Sequence, residues 1–99
     1  SSLYPTLTSF NSSVNRVCRI MNIDKEVIFS RSKKRECTEA RQILYWVCNE
    51  RPIQQVSIVK YMNENGYNAK GSEVNYGVSV VNKNISEDAD YSIIINKII

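Results

Sequence analysis

Histidine is absent from this chain. That removes the side chain most often used for proton transfer near neutral pH and the usual nitrogen ligand of a zinc site. Cysteine occurs three times, as Cys18, Cys37 and Cys48, an odd number with no CxxC pair. Neither a disulfide framework nor a metal knuckle is indicated, and the spacing on apolar helical faces predicts three buried free thiols in a reducing compartment. No apolar run is longer than a few residues, so no membrane span is expected. The opening, Ser1 to Phe10, lacks a basic segment followed by an apolar one and does not resemble a secretory signal. No GxxxxGK[ST] loop is present, and neither an internal repeat nor a low-complexity segment is found. Without histidine, a paired acid in a plausible cleft or an activated cysteine, an enzyme is not expected, and no cofactor or metal is implied.

What the chain does have is one domain's worth of residues, 99, with 42% of them apolar, enough for a single packed core. The net charge is +3 and its placement is uneven. Residues 1–50 carry eight Lys/Arg against five Asp/Glu, and residues 51–99 carry five against five. All the excess therefore lies in the first half. Most of it is in one stretch, where Arg31, Lys33, Lys34 and Arg35 fall within five residues. The pattern is a modest anion-facing signature.

Apolar spacing predicts an all-α fold of five helices in a single domain. Residues 1–10, with Pro5 and several Ser/Thr, read as an irregular lead-in, and residues 11–99 as the folded part. Asn11, Ser12 and Ser13 offer caps for a first helix whose stripe is Val14, Val17, Cys18 and Met21. Asp24 to Ser30 is a connector with at most one helical turn, and Val27, Ile28 and Phe29 plug into the core. A second helix from about Ser32 to Asn49 carries Cys37, Ala40, Leu44, Val47 and Cys48 on one face. Ile43 and Trp46 widen that face, so this helix is expected at the centre. Pro52 suits the start of a third helix, with Val56, Val59 and Met62 or Asn63 as its stripe and Gly66 as its stop. A fourth begins near Ser72, its expected cap, with Val74, Val78, Val81 and Ile85 inward. Gly77 inside that helix suggests close packing against a neighbour. A fifth restarts at Ser86-Glu87-Asp88, with Tyr91, Ile94, Ile95 and Ile98 inward; a β-branched strand over Tyr91–Ile99 is the competing assignment. The third and fourth helices, joined by a short Gly-containing turn, outline a helix-turn-helix.

The basic stretch sits just ahead of the second helix. Arg31, Lys33, Lys34 and Arg35 can each neutralise a phosphate, and the helix start adds backbone N–H groups and a positive dipole end. The bland alternative is a solvated basic loop. Arg41 can touch phosphate, or pair with Glu39, Glu36 or Asn/Gln neighbours. Gln54 and Gln55, opening the third helix, can hold one strand's backbone. The fourth helix would present Ser72, Glu73, Asn75, Tyr76, Ser79 and Lys83 outward, and Asn75 has the donor–acceptor pair that fits adenine. Glu73 reads more readily as a favourable acid in a first turn.

Three blocks carry a resemblance to a family. They are Arg31-Ser32-Lys33-Lys34-Arg35 through Ala40-Arg41-Gln42-Ile43, Gln54-Gln55-Val56-Ser57-Ile58, and Lys70-Gly71-Ser72-Glu73-Val74-Asn75-Tyr76-Gly77-Val78. Together they resemble the C-terminal DNA-binding domain of the bacterial chromosomal replication initiator DnaA, a Trp-repressor-like helix-turn-helix, over roughly residues 12–98. The resemblance implies double-stranded DNA as partner, a role in replication initiation, a cytoplasmic location in a bacterium, phage or mobile element, and further domains of a longer initiator-like chain. It puts Lys33 where the family sends a side chain into the minor groove, and Lys70, Gly71 and Ser72 at the start of the recognition helix. Gly71 and Glu73 stand where the family signature has a histidine and a second threonine. Those two departures and the neutral second half motivate an alternative: a protein-interaction domain on the same fold, with a partner surface near Tyr61, Tyr67 and Tyr76.

Overall fold

The computed structural model describes residues 3–98, and their side chains from residue 6. Among the described residues the chain is all helix, with six helices and no strand. They are α1 (Leu3–Met21), α2 (Lys25–Phe29), α3 (Arg35–Glu50), α4 (Gln55–Glu64), α5 (Gly71–Glu87) and α6 (Ala89–Ile98). No helix is long and apolar enough to cross a membrane.

α3 is the axis of the molecule. Every residue from Ile43 to Cys48 is buried, so this stretch is covered on all sides. A helix enclosed in this way belongs at a core's centre. α1, α2, α4 and α5 all pack against it, and α6 closes the assembly against α1 and α5. The inward stripes expected for α3 and α5 are found: Ala40, Leu44, Val47 and Cys48 on one, Val74 and Val81 on the other, are all buried. Trp46 is buried, and its indole N–H donates to Asn82 Oδ1 at 2.8 Å across the α3–α5 contact. Residues 89–98 form helix, which removes the strand assignment. Asp88 caps α6 by accepting from the N–H groups of Asp90 and Tyr91 at 3.0 and 3.2 Å.

Four expectations are corrected. The segment 3–10 is not irregular; it forms the first turns of a 19-residue α1. Pro5 is its third residue, a position whose backbone N–H has no acceptor within the helix, so a residue without that group is tolerated there. Phe10 is fully buried and its ring lies 5.2 Å from that of Tyr61, which gives this extension a tertiary anchor. Asn11, Ser12 and Ser13 are therefore mid-helix residues, and the buried Ser13 hydroxyl donates to Ser9 O at 2.7 Å. Second, the connector's turn is a distinct helix, α2, which raises the count from five to six; its Ile28 is the plug, fully buried. Third, α4 begins at Gln55 and not at Pro52, because Ile53 N–H bonds back to Cys48 O and Pro52 occupies the turn between. The inward stripe of α4 is then Ile58, Tyr61 and Met62, while Val56 is 75% exposed. Fourth, Cys18 is half-buried, while Cys37 and Cys48 are buried; all three are free thiols. Burial pushes the Cys48 thiol up to about 12 and raises that of Cys18 less far.

Two glycines have geometric tasks. Gly66 adopts φ +90°, and the Tyr67 N–H reaches back to Met62 O at 3.1 Å, closing α4 as a Schellman turn. Gly77 is buried where a Cβ would lie 2.9 Å from Tyr45 Cδ2 and 3.3 Å from Gln42 Cα. Alanine normally gains about 1 kcal/mol over glycine in a helix. Here the added methyl meets a buried ring and a backbone atom, and overpacking of about 1–3 kcal/mol exceeds that gain. Gly77→Ala is expected to lower stability by roughly 1 kcal/mol in urea unfolding, and a rise in the midpoint would show that α3 and α5 separate easily.

Candidate nucleic-acid interface

The site is assembled around the guanidinium of Arg41. This side chain is 5% exposed, on the inward face of α3 between Cys37 and Leu44. Its Nη1 donates to Ile28 O at 3.3 Å and Ser30 O at 2.8 Å, and its Nη2 to Ser32 O at 2.7 Å. It thus gathers alternate carbonyls of the segment leading into the basic stretch. The guanidinium carbon also stands 4.7 Å from the centroid of the Tyr67 ring. The Tyr67 hydroxyl donates to Glu73 Oε2 at 2.8 Å, and the Tyr45 hydroxyl donates to the same oxygen at 2.7 Å. A buried cation, two phenols and one carboxylate therefore link the 28–32 segment, the α4–α5 connection and the first turn of α5. The phenol acidities follow the burial. Both are raised above the usual tyrosine value, first by desolvation and then by the Glu73 carboxylate that accepts from them, while Arg41 opposes the shift.

This geometry corrects two assignments. Arg41 is an interior strut, unavailable to a phosphate and unpaired with Glu36 or Glu39. Glu73 is turned toward Tyr45 and Tyr67 and is not part of the outward face of α5. The signal for Arg41 was present in the sequence: it falls on the stripe Cys37–Arg41–Leu44–Cys48, where a cation must find polar partners. Tyr45 and Asn68 were missed as site residues, and Tyr67 was named only for a protein-partner surface.

Arg31, Lys33 and Lys34 lie in the extended stretch before α3, all exposed. Ser32 Oγ accepts the Lys34 N–H at 3.2 Å, which shapes the last step into the helix. Arg35 opens α3 and pairs with Glu39 at 3.0 Å, a solvated pair of little energetic weight. Arg31, Lys33, Tyr67 and Asn68 line one cleft of about 290 Å³ with Arg41 at its base. Lys33 also borders a second cleft, about 240 Å³, with Thr38, Gln42, Tyr67 and Tyr76, and Arg41, Tyr45 and the Glu73 carboxylate line it too. The basic stretch therefore adjoins the start of α5.

Gln55 joins α4 to the same region, its side-chain amide donating to Gly71 O. Gln54 is exposed and supplies the carbonyl that starts α4. Lys70 holds the cap position of α5 and Gly71 is its first residue, so Ser72 is not the cap. No side-chain cap bond is made at Lys34, Gln54 or Lys70, the starts of α3, α4 and α5. Along α5, Ser72, Asn75, Tyr76, Ser79 and Lys83 are all exposed at helical spacing and form one stripe without an acid. Lys83 lies twelve residues past Gly71, roughly 18 Å along the axis, so it serves the far end of that stripe. Among the described residues no cluster of three or more His, Cys, Asp or Glu could hold a metal.

No family model matches this chain, and no curated protein or solved structure matches it either.

Two outcomes follow from the Arg41 cluster. Arg41→Ala leaves three carbonyls without their donor and removes the cation from Tyr67; it should cost about 3 kcal/mol in chemical denaturation, with Arg41→Lys intermediate. Stability should also fall at high pH. The folded state holds the Tyr45 proton above its ordinary pKa of 10.0, so the native chain binds more protons than the unfolded one beyond that point. The stabilisation is complete below pH 10 and is lost above it, by up to about 1.4 kcal/mol per pH unit. Denaturation midpoints measured across that range should drop, and Tyr45→Phe should flatten the decline.

Proposed function

We propose that this chain is a double-stranded DNA-binding module of the replication-initiator type. In this proposal α4 and α5 act as the helix-turn-helix, α5 enters the major groove, and the 31–35 stretch grips the adjoining backbone. The observation that carries it is the shared border of Lys33 with Tyr76 and of Arg31 with the α4–α5 connection. Cationic side chains, the uncapped starts of α3 and α5, and an acid-free polar stripe then adjoin one another. Uncapped N–H groups and a positive dipole end suit phosphate oxygens. Ser72 and Asn75 can read base edges, and Gln54 and Gln55 can fix one strand without reading sequence. Glu73, the acid nearest the start of α5, lines the cleft that Lys33 borders, and two phenols donate to it there.

The protein-interaction alternative rests on Gly71, Glu73 and the neutral second half, and expects a partner surface near Tyr61, Tyr67 and Tyr76. Of these, Tyr61 is buried against Phe10, while Tyr67, bonded to Glu73, and the exposed Tyr76 line one cleft. The resemblance to the initiator domain supports a role in DNA replication initiation, with further initiator domains as neighbours.

Fluorescence anisotropy tests the proposal with a duplex carrying an initiator box and a scrambled duplex at several salt concentrations. Binding through four to six phosphates gives a log–log salt slope of roughly −4 to −5, because each neutralised phosphate contributes about −0.9. Arg31→Ala/Lys33→Ala should reduce that slope by about two units. Tighter binding to the box would assign base reading to α5. Absence of binding to both duplexes at low salt would refute the DNA function.

A further inference from the structure

Tyr76 stands apart from the other described tyrosine side chains. The Tyr45 and Tyr67 hydroxyls are both committed to Glu73. The Tyr61 ring is in the core, and Tyr91 is half-buried with Asn84 as its hydrogen-bond partner. Tyr76 is 66% exposed, and its hydroxyl has no partner among the described residues. Fold stability gives no account of so large a ring in this place. Its surroundings are specific: Ser72, Asn75 and Ser79 flank it on the outward stripe of α5, and Lys33 borders the same cleft, whose one acid, Glu73, is engaged by the Tyr45 and Tyr67 hydroxyls.

We infer that Tyr76 is a specificity-determining residue of the DNA face, selecting thymine through contact of its ring with the 5-methyl group in the major groove. The inference rests on the DNA-binding reading above and adds a contact to it. A helix lying in the major groove presents residues at i, i+3, i+4 and i+7 to base edges. On this helix those are Ser72, Asn75, Tyr76 and Ser79. Ser72 and Asn75 carry compact polar groups suited to hydrogen-bonded edges, and Ser79, whose hydroxyl donates to the Asn75 and Tyr76 carbonyls, offers an acceptor oxygen. Tyr76 has a broad apolar face and no bidentate pattern, so the base-edge feature it complements is the thymine methyl, the one apolar group displayed in that groove. Lys33 beside it supplies a charge for the phosphate of the same strand. The pair then couples a backbone contact to a base contact across one cleft.

The test uses two 20-base-pair duplexes, one of alternating adenine and thymine, the other with every thymine replaced by deoxyuridine, which lacks only the methyl. Affinities are measured for the parent protein, Tyr76→Ala and Tyr76→Phe, with circular dichroism confirming that each variant is folded. The parent should prefer the thymine duplex by about four-fold for each methyl contacted. Tyr76→Phe should keep that preference. Tyr76→Ala should bind both duplexes equally while retaining the parent's salt slope. A parent that does not distinguish the duplexes, or a Tyr76→Ala protein that distinguishes them as well as the parent does, overturns the inference and leaves salt-dependent binding standing. A parent that binds neither duplex at low salt removes both readings.

Discussion

A buried guanidinium on a central helix organises this molecule's candidate working face. Arg41 cannot remain charged inside a core without donors being matched to acceptors, and the available acceptors are the carbonyls of Ile28, Ser30 and Ser32. Satisfying it draws an otherwise extended segment onto α3. The stretch that follows, with Arg31 and Lys33, is then held by its own backbone and not by its charged side chains, which remain exposed. Tyr67 covers the cation from the other side, and the positive φ of Gly66 is what turns the chain so that Tyr67 arrives there. A loop without its own core contacts is in this way given a fixed place relative to α5.

The same cluster separates two kinds of charge. Arg41 and Glu73 keep their charges but have their hydrogen bonds met within the fold, Arg41 by three carbonyls and Glu73 by the hydroxyls of Tyr45 and Tyr67. Arg31, Lys33, Lys34 and Lys70 are left outside, where their solvation costs nothing and their field is available. Sequence position alone does not distinguish these groups, since Arg41 is only six residues beyond Arg35. The helical period does: α3 turns Arg41 inward and leaves Arg35 at the surface with Glu39.

The parts of the fold that were legible in the sequence are those where period and burial agree. The stripe Ala40–Leu44–Val47–Cys48 could lie only on one helix face, and the placement of Gly77 against a neighbour followed from its cost within a helix. α1 was harder because Pro5 and the nearby Ser/Thr residues resemble a loop; its first turns are helical where Phe10 finds Tyr61, a contact fifty-one residues away in sequence. α4 was read in the wrong register for a related reason. Val56–Val59 and Ile58–Met62 both fit a helical period, and the turn at Pro52 together with the Phe10–Tyr61 contact selects the second. At the candidate site, the exposed cations and the polar stripe of α5 were legible as types. The inward turn of Glu73 was not, because it depends on two phenols brought from α3 and the α4–α5 connection.

Trp46 is the sole tryptophan of the chain, and its indole bridges α3 to Asn82 on α5. Its location gives the protein an intrinsic optical probe at the seam between the central helix and the helix that would read DNA. Indole emission reports the polarity around the ring, so a shift on adding a ligand would register any sliding of α5 across α3. A constant spectrum alongside a changing anisotropy would instead describe a rigid body that docks without rearrangement.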